Sequence, residues 1–223
     1  MRRRHLLALL AAAVAAPQLA LAADIKTVPI DKAFPFLAAY LGLPIAQRSR
    51  FYLAYRAMRD KHPALDARAT IVAANGARTP VAFDHIGAVA RLPSLAELKS
   101  AANVEMDSAP FQLGVELRCA TPPSTRIDVA ELVASLAQVN LAVSKVAGAF
   151  SLIIPKLTTA YFPDAAGAQA LLGNGRAIVL PVYSAPIFGQ VPYIEPGTLA
   201  GAKTVMLARA PSRIVLGGHP KTA

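Results

Sequence analysis

The sequence predicts an α+β, β-rich protein made of two tandem related units, each a helix followed by a small antiparallel sheet with an Asn-Gly hairpin. Three observations predict it. First, Asn-Gly occurs twice, at Asn75-Gly76 and Asn174-Gly175, each time between strand-like runs. The dipeptide suits the two positive-φ positions of a type I′ turn. Second, a shift of 99 residues that superposes the two also brings Phe51 onto Phe150, Leu53 onto Leu152 and Ala69 onto Ala168. With two residues more, Pro80-Val81 meets Pro181-Val182, Leu98 meets Leu199, Val104 meets Val205, and Ala109-Pro110 meets Ala210-Pro211. Ordered matches at one spacing are the mark of a duplication. Third, Leu132, Leu136, Val139, Val143 and Val146 follow helical spacing, which predicts a long helix over Asp128 to Ala147 with Asp128 at its cap.

The elements follow in chain order. Arg2, Arg3 and Arg4 precede an apolar run from Leu6 to Ala16; Pro17 breaks it, and Ala20-Leu21-Ala22 has the small-x-small form of a cleavage site. Residues 1–22 therefore read as a signal peptide cut between Ala22 and Ala23. The run is shorter than the roughly 20 apolar residues a spanning helix needs, so no transmembrane anchor is expected after processing. The expected location is periplasmic or secreted, with the general and twin-arginine export routes both open. The first unit spans 23–121. A short helix is expected over Asp31 to Leu41. Arg50 to Arg56 alternates, which predicts a half-buried strand with Phe51, Leu53 and Tyr55 inward and Arg50 and Arg56 outward. Strands flank Asn75-Gly76, and Phe111 to Arg118 alternates as the last strand. Helical turns are expected at Ser94 to Ala101 and Pro196 to Gly201. Thr121-Pro122-Pro123-Ser124 marks the linker. The second unit spans 122–218, with a strand over Phe150, Leu152 and Ile154, strands about the second Asn-Gly, and a last strand through Ile214 and Leu216. Pro80 and Pro181 fall inside outgoing hairpin strands, where a missing N–H implies a sheet edge. Residues 219–223 read as a tail.

Composition narrows the chemistry. The formal charge is +10, falling to +7 once Arg2, Arg3 and Arg4 are removed. Most of the excess lies after residue 132, on Lys145, Lys156, Arg176, Lys203, Arg209, Arg213 and Lys221 against Asp164 and Glu195. The first six of these cations form a candidate surface for an anion or a partner, such as an envelope protein or an anionic envelope component. No nucleic-acid motif is found, and no nucleic-acid partner is expected. The single cysteine, Cys119, cannot close an intramolecular disulfide, so stability must come from the core.

The search for catalytic groups selects nothing. His62, His85 and His219 lie far apart with no zinc-site spacing, so no metal and no cofactor is expected. Asp84-His85 is the one acid–histidine neighbour pair, and it reads as a turn. No GxSxG elbow or phosphate loop accompanies it. Tyr161, Phe162, Tyr183, Phe188 and Tyr193 read as filling for the second unit. The expected function is therefore that of an exported, non-catalytic binding or interaction protein with a basic C-terminal half. Two alternatives stand beside it. One is a hydrolase-type enzyme with a site between the units. The other is an envelope assembly factor that uses an exposed strand edge.

Overall fold

The structure, a computed structural model, describes residues 25–106, 111–147, 156–185 and 188–220. The signal sequence and the strand expected through Phe150, Leu152 and Ile154 lie outside the described residues. The chain opens with β1 (Lys26–Pro29), α1 (Ile30–Ala33) and α2 (Leu37–Gly42). It continues through β2 (Phe51–Arg59), β3 (His62–Pro63), β4 (Ala69–Val72), β5 (Arg78–Pro80), α3 (Leu95–Lys99), β6 (Asn103–Met106) and β7 (Gln112–Cys119). Then come β8 (Arg126–Asp128), α4 (Val129–Ala147), β9 (Thr159–Tyr161), β10 (Gln169–Leu172), β11 (Ala177–Val179), β12 (Val182–Ala185), β13 (Gly189–Ile194), β14 (Ala202–Met206) and β15 (Val215–Gly217). The protein is thus mixed α and β, rich in strand, with several antiparallel sheets.

A seven-stranded sheet, β12-β13-β9-β15-β7-β2-β3, forms the middle. Two four-stranded sheets, β1-β6-β4-β5 and β8-β14-β10-β11, accompany it. Among the described residues the strand pairings are antiparallel, with β2 and β7 in register from Phe51 opposite Cys119 to Met58 opposite Gln112. The inner face of the seven-stranded sheet meets the helices. One core gathers Leu132, Leu136 and Val139 of α4 with Phe51, Phe162, Ile194 and Ile214. The other gathers Ile30, Phe34 and Leu37 with Leu53, Tyr55, Val104 and Leu113. Tyr40 and Leu117 pack against both. α4 is long and apolar enough to cross a membrane by length and composition. Here Val129, Leu132, Leu136, Val139 and Ala142 are buried in the protein's own core.

Several expectations change. The helix expected over Asp31 to Leu41 is two helices, because Pro35 pushes Phe34 out of helical geometry, to φ −117° and ψ 66°. The Asn-Gly corners do not use two positive-φ residues. Only Gly76 (φ 83°) and Gly175 (φ 81°) are left-handed. Gly76 N–H donates to Ala73 O and Ala73 N–H to Ala77 O, while Gly175 N–H donates to Leu172 O and Leu172 N–H to Arg176 O. This is the three-residue loop closed by a glycine bulge, which matches strand twist with one left-handed residue in place of two. Each Asn instead accepts a backbone N–H through its side chain, Asn75 from Ala77 at 3.0 Å and Asn174 from Arg176 at 3.1 Å. Pro80 ends β5, an edge strand, but Pro181 lies between β11 and β12 and not within a strand. α3 starts at a full capping box, with Ser94 Oγ accepting from Glu97 N–H and the Glu97 carboxylate accepting from Ser94 N–H. Asp128 caps α4 by accepting from Ala130 N–H at 2.8 Å.

β2 departs most from its sequence pattern. The half-buried strand expected there is buried on both faces from Leu53 to Met58, and Arg56 is 2% exposed. The alternation is real, but its second face is covered as well.

Candidate functional site

The first feature is a chamber of about 710 Å³ on the inner face of the seven-stranded sheet, where the two cores meet. Its floor is Phe51 and Leu53 of β2, Val115 and Leu117 of β7, and Leu216 of β15. One wall is Phe36, Tyr40 and Leu43; the other is Ala142, Val143 and Val146 at the end of α4. Alternation along β7 places Val115 on the core side with Leu113 and Leu117. Yet Val115 is 38% exposed while Leu113 is 9% exposed. Nothing in the described residues packs over it, and that gap is the chamber. Among the described residues of the boundary Glu116 is the one that is charged, and its carboxylate is held by arginines on the opposite face of the sheet.

The walls are fastened from outside. The segment after α2 docks on α4: Gln138 donates to Ala46 O at 2.9 Å and accepts from Arg50 N–H at 2.7 Å, and Lys145 Nζ donates to Gln47 Oε1 at 3.0 Å. Arg48 stacks on Tyr40, its Cζ 5.1 Å from the ring centroid, and donates from Nε to Leu43 O. Phe36 stands at the mouth, 64% exposed and at φ 68°. A bulky side chain in the left-handed region carries strain of order 1–2 kcal/mol. The turn is held by Tyr55, whose buried hydroxyl donates to Pro35 O at 2.5 Å and whose ring meets Phe34 edge-on at 5.1 Å. Ile45, Leu141 and Val146 are also exposed, so the region carries uncovered apolar side chains.

The second feature lies on the outer face. Arg56 on β2 and Glu116 and Arg118 on β7 share that face, and Arg213 joins them from just before β15. All four are buried. Arg56 Nη2 is 3.0 Å from Glu116 Oε1; Arg118 Nη2 and Nε are 2.7 and 2.9 Å from Glu116 Oε2; Arg213 Nε is 3.3 Å from the same oxygen. Burial pulls the Arg56 guanidinium below its ordinary range, and Glu116 opposes that shift. Arg213 also donates to Ser212 Oγ, which donates to Asp164. Phe188 covers the group: its ring centroid is 5.6 Å from Arg56 Cζ and 5.2 Å from Arg213 Cζ.

Of the six cations expected as a surface, five are exposed and sit on different elements. Lys145 bonds Gln47, Arg209 donates to Asp164 O, Arg176 and Lys203 lie about the turn between β10 and β11 and the start of β14, and Lys156 precedes β9. Arg213 is not a surface residue: it is 5% exposed, inside the outer-face cluster. Sequence reasoning missed Arg56, Glu116 and Arg118 as a group. The available signal was the charge on one register of two strands that turn out to be neighbours. Asp84 is a turn residue, its Oδ1 accepting from Ile86 and Ala88 N–H, and the adjacent His85 is exposed. His219 reaches back from the tail to Glu195. Among the described residues no three His, Cys, Asp or Glu are grouped to hold a metal. Cys119 is buried with Sγ 3.2 Å from Ser135 Oγ.

Tyr161 packs with Tyr183 and Tyr193 on the outer face and donates to Gly218 O at 2.6 Å. Burial is the main cause that pushes its hydroxyl up to about 12, and burial raises Tyr55 further still. Both are neutral when protonated, so the folded chain holds these protons more tightly than the unfolded chain. The stability they confer is complete below the ordinary tyrosine value of about 10 and is lost as pH rises from there through 12. Alkaline titration followed by tyrosinate absorbance and circular dichroism should show these two tyrosines ionising together with unfolding. Ionisation of all tyrosines near the ordinary value with the fold intact would contradict this.

Comparison with known protein families, with curated proteins and with solved structures finds no match.

Proposed function

We propose that this protein is an exported, non-catalytic binding protein that holds the hydrocarbon part of a small ligand in the chamber between β2, β7, α2 and α4. The observation that carries the reading is Val115, a core-register residue of a central strand left open to a cavity of about 710 Å³. Ligand pockets are of this size and are mostly apolar. Burying hydrocarbon there is favourable by roughly 0.8 kcal/mol per CH₂. Of the described lining residues only Tyr40 and Glu116 carry a titratable group, and both are engaged elsewhere, Tyr40 with Phe51 O and Glu116 with the arginines, which supports binding over hydrolysis. Phe36, strained and exposed at the mouth, and the uncovered Ile45 and Val146 suit contact with a ligand that enters from an apolar phase.

The test is displacement of the fluorophore anilinonaphthalene sulfonate by laurate. Binding is expected for the native chain and is expected to fall at least tenfold in Val143→Trp, which fills the chamber from a half-buried position, with a melting temperature close to that of the native protein. Equal binding by both chains would place the fluorophore elsewhere and sink the reading.

The fold is read as a duplication, 23–121 and 122–218. Support comes from the matched strand orders β1-β6-β4-β5 and β8-β14-β10-β11, and from the bonds Val81 N–H to Ala69 O and Leu180 N–H to Ala168 O, which are related by a shift of 99 and so pair Val81 with Leu180 in place of Val182. In this reading the chamber lies between the two units, where clefts tend to form. Export is read from the charged and apolar start of the chain, with a periplasmic or secreted address. A tagged precursor that remains full-length in the cytoplasm would oppose it.

A further inference from the structure

We propose that the arginine cluster on the outer face of the seven-stranded sheet is an oxyanion site, which takes a phosphate, sulfate or carboxylate group. Charge and unmet hydrogen bonds at the cluster support this independently of the chamber. Arg56, Arg118 and Arg213 are each buried. Against these three cations the facing acids are Glu116, 9% exposed, and Asp164, whose side chain is 61% exposed with Oδ2 3.7 Å from Arg213 Nη1. Asp84 also reaches Arg56 by its field, but one of its oxygens is committed to two backbone N–H groups. Asp164 and Asp84 are both exposed and screened by solvent, so the buried part of the cluster holds three guanidiniums against the single carboxylate of Glu116. A guanidinium cannot shed its proton in a protein, so the excess cannot be relieved by titration.

The unmet bonds fall on the most enclosed member. Arg56 is 2% exposed, and its Nε and Nη2 have no hydrogen-bond partner among the described residues; the Nη2 contact to Glu116 at 3.0 Å is an ion pair without hydrogen-bond alignment. A buried polar group without a partner calls for an explanation, and a missing ion is one of the few available. What faces Arg56 and Arg213 instead is the Phe188 ring, whose π-face offers only a weak negative potential. Planar guanidinium forks bind tetrahedral and planar oxyanions through paired N–H donors, far more strongly than a ring does. Phe188 is half-buried and lies over both guanidiniums, so displacing its side chain exposes them.

The test is thermal unfolding and calorimetric titration of the whole protein with inorganic phosphate, sulfate and acetate, each against sodium chloride at matched ionic strength. At least one oxyanion should raise the melting temperature saturably in the low millimolar range, below the concentrations at which excluded salts stabilise proteins generally. Which of the three acts identifies the group. Arg213→Gln should weaken binding at least tenfold, Phe188→Ala should tighten it by uncovering the cluster, and Lys203→Gln on another element should leave it unchanged. If Arg213→Gln does not fold, the native titration and Phe188→Ala still decide. All three oxyanions behaving as chloride does, or Lys203→Gln costing as much as Arg213→Gln, would overturn the proposal.

Discussion

Glu116→Gln is expected to destabilise the protein by about 3–5 kcal/mol, the cost of leaving buried charge without its partner. The carboxylate is 9% exposed and receives Arg56, Arg118 and Arg213 at 2.7–3.3 Å. The amide keeps the shape and removes the charge, so the three guanidiniums then repel one another with little solvent to screen them. For a chain of this size the melting temperature should fall by about 10 °C. Removing an arginine with the acid should cost less than the sum of the separate changes, because the acid's absence no longer leaves that cation unpaired. Urea denaturation of Glu116→Gln, Arg118→Leu and the double variant measures both statements. A Glu116→Gln protein melting with the native one would show that the cluster carries no such interdependence.

Phe34→Ala is expected to cost about 3–5 kcal/mol, the usual range for a buried phenylalanine truncated to alanine. Phe34 is 1% exposed, sits in the core with Ile30, Leu37 and Leu113, and meets Tyr55 edge-on. The void would open beside the hydroxyl that holds Pro35 O, so the α2 wall of the chamber should loosen as well, and fluorophore binding should weaken alongside stability. Phe36→Ala is the control. The same residue type two positions on is 64% exposed and should change stability by no more than about 0.5 kcal/mol. Equal losses from the two substitutions would mean that Phe34 does not anchor this core.

How far these features could be read in advance differs by type. The alternation of Phe51, Leu53 and Tyr55, and of Leu113 and Leu117, put the right side chains on the core side, since a strand's period of two is local geometry. α4 and its Asp128 cap were legible for the same reason: helical spacing and an oxygen ahead of the first turn act within a few residues. Pro35 stands in the sequence, yet the apolar spacing on both sides of it suits a single helix and hides the split between α1 and α2. Arg56, Glu116, Arg118 and Arg213 read as solvent-facing because charge on the second register of a strand usually is, and no local pattern states that another segment will cover that face. Neither does any local pattern reveal the chamber, which exists because Val115, on a core register, is left 38% exposed. The chain alone determined which residues share a face and where helices begin; only the tertiary structure decided which faces are covered and which are left open, because coverage depends on segments far apart in sequence meeting in space.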